Sequence, residues 1–327
     1  MAAYIGEIMK ITQIELQLPQ PELELICTDC ARLVGPQSQP IEETLAAVSE
    51  FMFIKDERFG KEIESALGIT GRPGRPVDDG NRMLAGKTIA NSGPEGVTSR
   101  VLIPSTTIFP IIFPFGELQE TVEENRYIIC HEIGHAVDFA ARQIVPPEEW
   151  LLAETRAAPF RIEDTTPFYS LRLGFEVAAS ANSARAVSRD VLSHRYDSVF
   201  EGASRSAKQV ESELAKLRNR TAEQRQVSHV VSHELWDSLT EFAKIFATII
   251  VNDQLAGDCR HRWVGTPWER ALHRHFAAVR ALVDQYPRWS ADAMLPVRDV
   301  LRTLALDRFG CQFVEGENED RVEIVDN

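Results

Sequence analysis

The sequence predicts an α+β fold: a small, twisted N-terminal sheet with an edge strand, followed by a mainly helical C-terminal part. Three observations lead there. Short apolar segments with partial alternation occupy the first part of the chain, as in Ile14-Glu-Leu-Gln-Leu18. The stretch Val97 to Phe115 is rich in β-formers and broken by Pro104, Pro110 and Pro114. From Val177 onward the apolar residues recur mostly with helical spacing.

In order along the chain, Ile5 to Ile26 is expected to hold short strands, including Leu23-Glu-Leu-Glu-Leu-Ile26, with a break at Pro19-Gln-Pro21. Ile41 to Leu67 reads as helix in two pieces, with Leu45, Val48, Phe51, Met52, Ile63 and Leu67 as apolar positions. Residues 1–67 thus form an α/β segment. Residues 68–96 hold seven glycines and three prolines and read as a long loop, a boundary or a lid. The proline-broken strand after it suits a sheet edge, where an extended peptide can add as a further strand. Glu120 to Gln143 is expected as helix, stopped by Pro146-Pro147. A short helix over Glu148 to Ala158, a loop around Thr165-Thr-Pro167 and a mostly helical stretch to Val251 follow. Gly202 to Gln226 is charged enough for a solvated helix or arm. The core assigned to residues 97–260 is then followed, over 261–327, by helices at Thr266 to Gln285 and Met294 to Phe309 and by an acidic end, Glu315 to Asp320.

Composition narrows the function classes. With 327 residues, 44% hydrophobic and 26% charged, the chain has the make-up of a globular protein. No apolar run approaches the ~20 residues needed to cross a bilayer, and residues 1–20 lack a basic-then-apolar leader pattern. A membrane role is not expected, and five sparse cysteines suit a reducing cytoplasmic setting. The net charge of −14 argues against nucleic acid, whose phosphates it would repel. Cys27-Thr-Asp-Cys30 lacks a well-spaced second half for a structural zinc, Cys259-Arg-His261 being the nearest candidate.

The chemistry concentrates at His131-Glu132-Ile133-Gly134-His135. Such a pattern arises by chance in roughly one chain in a hundred of this size, so its surroundings must carry part of the argument. Ile128, Ile129, Ala136 and Val137 flank it without a charge. On a helix, residues four apart leave the same face about one turn apart, so both imidazoles can reach one tetrahedral Zn²⁺. Glu132 projects to one side, where a carboxylate can take a proton from water activated by the metal. Gly134 costs about 1 kcal/mol of helix propensity and lets a neighbouring element come close. Asp138, one turn after His135, can accept the second N–H of a ligating imidazole.

Zinc needs a third protein ligand. Position 141 is Ala, so a closely following third histidine is absent. Glu241 is the first choice: it borders the apolar stripe Leu235, Leu239, Phe242, Phe246, Ile249. Glu154, 18 residues beyond His135, is the alternative. His229 and His233 share helical spacing and could supply a ligand or a donor to a tetrahedral oxyanion, and Tyr169 or Tyr196 could stabilise that oxyanion.

His131-Glu-Ile-Gly-His-Ala-Val-Asp138 resembles the metal helix of zincin metallopeptidases of the gluzincin type, in particular the anthrax lethal factor-like protease lobe. The resemblance implies a zincin-like fold, a bound Zn²⁺, and a later helix carrying the Glu ligand in an E-x-F-A-x-x-F setting. Thr240-Glu-Phe-Ala-Lys-Ile-Phe246 is the similar segment here, with Thr240 in the family's ligand register and Glu241 beside it. The Glu154 spacing instead resembles a zinc aminopeptidase arrangement, without that family's G-x-M-E-N segment. The expected activity is zinc-dependent hydrolysis of a peptide or protein substrate. A non-catalytic regulator or sensor on a zincin scaffold and a toxin-like effector protease are the alternatives.

Overall fold

The structure is a computed structural model that describes residues 9–36, 38–67, 86–114, 119–146, 162–255, 262–289, 291–314 and 321–325, with 162–170, 253 and 291 described by backbone alone. It is a mixed α+β chain in two compact units. The first comprises Met1–Thr155 with Ala178–Val191, the second Arg156–Val177 with Leu192–Asn327.

The first unit opens with strand β1 (Ile11–Ile14) and helix α1 (Gln20–Arg32). The Leu-Glu alternation of residues 23–26 was expected as strand and is helix. Pro19 precedes the first turn, Pro21 sits within it, and Leu23, Cys27, Cys30 and Ala31 fall on one buried face while Leu25 is exposed. Helix α2 (Ile41–Ala46), strand β2 (Val48–Ile54) and helix α3 (Asp56–Leu67) follow. The two-piece helix expected over Ile41 to Leu67 therefore contains a strand at its centre. Phe51 and Phe53 pack into one apolar cluster, Met52 and Ile54 into another. From Phe51 to Ile54 this strand is buried on both faces and apolar at every position, so it lacks the alternation that marks a half-buried one.

Strand β3 (Lys87–Gly93) turns through Pro94-Glu95 into strand β4 (Gly96–Pro104), with Gly96 at φ +117°, which L side chains rarely adopt. Part of the expected loop 68–96 is thus a hairpin arm; residues 68–85 lie outside the described set. The sheet order is β1-β2-β4-β3: the first three strands are parallel, and β3 runs antiparallel on the edge. The strand assigned to an edge, β4, is therefore interior. Its prolines do not contradict this. Pro104 ends the strand, and Pro110 sits in helix α4 (Ser105–Ile112). Helix α5 (Gln119–Arg142) then crosses one face of the sheet, where Ile129, Cys130, Ile133, Ala136 and Val137 meet Phe51, Phe53, Val101 and Ile103.

Helix α6 (Ile162–Asn182) includes Thr165-Thr-Pro167, which was expected as loop. Its last turn, from Ala178, belongs to the first unit. There Gly35 N donates to Asn182 O (2.8 Å), and Arg185 reaches the carbonyls of Arg32 and Val34 (3.0 and 3.2 Å). These bonds tie the end of α6 to the end of α1.

The second unit is built largely on helices α7 (Arg189–Arg218), α8 (Gln224–Val251), α9 (Glu269–Gln285) and α10 (Leu295–Phe309). The charged stretch from Gly202 is part of packed helix α7, burying Ala203, Ala207, Val210 and Leu214 along one face. Gly310, at φ +60°, ends α10 and leads into strands β5 (Cys311–Val314) and β6 (Arg321–Ile324), an antiparallel pair. The acidic stretch 315–320, expected as a solvated end, lies outside the described residues and falls in sequence between these two paired strands. No helix among the described residues is long and apolar enough to cross a membrane.

Candidate metal centre

The His-Glu-Ile-Gly-His stretch lies in the interior of α5, with a turn or more of helix on either side. The expected geometry follows from that placement. The His131 and His135 rings stand 4.8 Å apart, edge to face. Tyr127, one turn earlier, places its hydroxyl 3.5 Å from Nδ1 of His131. With Nδ1–H donating to the hydroxyl oxygen, the ring is oriented and Nε2 presents its lone pair. Phe139, one turn later, stacks on His135 at 5.7 Å. His135 is 4% exposed, so its imidazole is held in a nearly dry, aromatic-walled position.

Gly134 explains itself in the packing. A Cβ built there would lie 2.6 Å from the carbonyl oxygen of Ala179 and 3.2 Å from its Cα. The α6 backbone therefore touches the α5 backbone at this residue, and Asn182 Nδ2 donates to Gly134 O (3.3 Å). Glu176 stands three residues before Ala179 on the same helix, about one turn away. His131, His135 and Glu176 each offer a ligand atom, and all three atoms lie within 4.8 Å of one another. Two imidazoles and a carboxylate are a common donor set for Zn²⁺ at a site with an open position. Sequence reading missed Glu176. The signal available was indirect: a glycine inside an apolar helix asks which partner backbone it admits, and Gly174-Phe-Glu-Val-Ala-Ala-Ser180 is small and apolar enough to be that partner.

Glu241 was expected as the third ligand and is not in this group. Its carboxylate accepts a hydrogen bond from Lys244 at 2.9 Å, and Lys244 also lies 3.6 Å from Glu176. Burial by itself would raise the Glu241 carboxyl, but the Lys244 ammonium overcomes it and holds the group below its usual range. A surface-edge position on an apolar stripe thus serves an ion pair here. Glu154 lies outside the described residues, as does the Tyr169 side chain. Tyr196 is buried among Phe200, Trp263 and the Arg262 guanidinium. His229 and His233 do occupy successive turns of α8, but neither joins the metal group. His233 Nδ1 faces Asp237 at 3.1 Å, and that hydrogen bond raises its pKa above the ordinary histidine value against the effect of burial.

Asp138 is fully buried and forms a two-point pair with Arg142, one turn on, with Nε at 2.7 Å from Oδ1 and Nη2 on Oδ2. Both Asp138 oxygens are thus engaged by Arg142. Glu132 is contacted from the edge strand: the Thr88 hydroxyl lies 2.8 Å from Oε2 and 2.8 Å from the Glu132 carbonyl oxygen. Gly86 lies so close that a Cβ there would meet Glu132 Cγ at 2.7 Å.

Cys30 of α1 meets Cys130 of α5, whose thiol points to the Cys30 carbonyl at 3.6 Å, and Cys27 belongs to the same core cluster. All three are buried free thiols, and burial pushes Cys27 well above the ordinary thiol range. They act as small core residues.

No known protein family, curated protein or solved structure matches the chain.

Proposed function

We propose that the protein is a zinc-dependent hydrolase of the zincin type, acting on peptide bonds. The observation that carries this reading is the grouping of His131 and His135, on successive turns of one helix, with Glu176 of another, their ligand atoms all within 4.8 Å, while Glu132 directly follows His131 in the chain. Two neutral nitrogens and one negative oxygen hold a divalent cation without a large uncompensated charge. Bound there, Zn²⁺ would supply Lewis-acid polarisation of water and of the scissile carbonyl.

The remaining work falls to the chain's own groups. Glu132 takes a proton from the attacking water as its oxygen closes on the carbonyl carbon, then delivers that proton to the departing amine nitrogen. One proton is taken and one returned, so the carboxylate is regenerated each turnover. Thr88 and Gly86 hold the Glu132 side chain between edge strand and helix. The edge position of β3 suits an extended peptide lying beside Glu132, since an edge strand presents unpaired backbone groups. Burial of His135 and the apolar packing around it keep competing water from the ligand nitrogens.

The test is metal analysis with activity. Purified protein should carry about one zinc per chain and cleave members of a fluorogenic peptide library. Glu132→Gln should keep the zinc and lose cleavage. Zinc retention with no cleavage by the wild type would favour a sensor or scaffold instead.

A further inference from the structure

We infer that Thr88 is the positioning residue for the Glu132 carboxylate, an inference that rests on the hydrolase reading above. Thr88 is 1% exposed, on the edge strand, in register with Val101 of β4. Its side chain faces α5, and its hydroxyl lies 2.8 Å from two oxygens of one residue: the carboxylate Oε2 and the main-chain carbonyl of Glu132. A hydroxyl has one hydrogen to give and two lone pairs to accept with. Facing an ionised Glu132, the hydrogen goes to Oε2, because a hydrogen bond to a charged oxygen is the stronger one. That bond holds Oε2 in place and leaves Oε1 as the oxygen that exchanges the proton with water.

Gly86 supplies the other side of the clamp. With Cβ space closed at 2.7 Å from Glu132 Cγ, the glycine admits the Glu132 stem against the backbone. The carboxylate is therefore held by a hydrogen bond at one oxygen and by backbone contact along its stem. A general base must sit within hydrogen-bond reach of the proton it removes, and a displacement of ~1 Å costs about 100-fold in rate. The β-branched isostere valine keeps the strand and removes only the hydroxyl.

Two measurements on the full chain decide it. The first is a double-mutant cycle on the metal-free protein, by urea unfolding of wild type, Thr88→Val, Glu132→Ala and the pair. Alanine retains the main-chain carbonyl, so the cycle isolates the bond to the carboxylate. The unfolding constant should rise for Thr88→Val about 10-fold more in the wild-type background than in the Glu132→Ala background. The second is cleavage of the fluorogenic peptide library by the zinc-loaded variants. Thr88→Val should lower kcat about tenfold with KM and zinc content near wild type, and Thr88→Ser should restore it. No coupling in the cycle overturns the inference, and so does coupling with unchanged kcat. A wild type that cleaves nothing while the coupling persists defeats the hydrolase reading and leaves the contact itself standing.

Discussion

Gly134→Ala separates two opposed effects, and their signs differ. In an isolated helix the change would stabilise by about 1 kcal/mol, because alanine is the better helix former. Here the new methyl would stand 2.6 Å from the Ala179 carbonyl oxygen. Ordinary van der Waals contact begins near 3.4 Å, so the two backbones must part by roughly 0.8 Å. Neither side of the contact is a flexible side chain, and overpacking of this kind costs about 1–3 kcal/mol. The net expectation is a metal-free protein destabilised by about 0–2 kcal/mol. The larger effect is on metal. Zinc ligand distances tolerate about ±0.2 Å, and Glu176 rides on the displaced helix one turn from the clash. Zinc affinity should fall about 10–100-fold, the scale seen when the support of a ligand is disturbed. Urea unfolding of the apo protein and chelator competition for zinc measure the two separately. A Gly134→Ala protein that gains about 1 kcal/mol and binds zinc as tightly as wild type would refute the close approach of α6 and its role in placing Glu176.

Three further outcomes follow from the same geometry. Glu132→Gln should lower the rate by about 10²–10⁴ while zinc stays bound, read by turnover and metal content together. Glu176→Gln should weaken zinc far more than Glu241→Gln, because Glu176 and not Glu241 stands with the two histidines; the reverse order in chelator titrations would restore Glu241 as the ligand. His275 is buried with Nε2 2.7 Å from the Leu239 carbonyl, and burial lowers its pKa to about 4 despite that bond. Its folded pKa lies below the unfolded value near 6.5, so the unfolded chain binds the proton first as pH falls. The stability it contributes is complete above about pH 6.5 and is lost on the way down to about 4, by about 3 kcal/mol. His275→Gln should flatten the urea midpoint over that range relative to wild type; parallel curves would contradict the burial argument.

The readable parts of the chain were those where one local signal had one structural meaning. Residues 119–142 form a single helix because periodicity, apolar flanks and the prolines beyond Ile144 agree. The same holds for the helices from Glu269 and Leu295. Residues 48–54 misled because a doubly buried strand and a core helix share an apolar composition, and only pairing with β1 and β4 separates them. Residues 23–26 misled in the opposite sense: four alternating residues fit a strand, while the burial that decides them extends to Cys27, Cys30 and Ala31. The hairpin of β3 and β4 was hidden in a glycine-rich stretch, and with it Thr88, whose importance exists only once β3 lies over α5.

Sequence alone determined that two imidazoles share one helical face with a carboxylate projecting to one side of it, since a 3.6-residue period fixes side-chain direction without any other part of the chain. It also determined that Gly134 must admit something, because a glycine inside an apolar helix is otherwise a cost. Tertiary structure decided what that something is and which acid comes with it. Glu176 lies far beyond the reach of any local period from His135, and what separates it from Glu241 is that its carboxylate meets the histidines, while Lys244 faces both acids. Ligand spacing within a turn is a property of the helix; ligand choice between helices is a property of their packing.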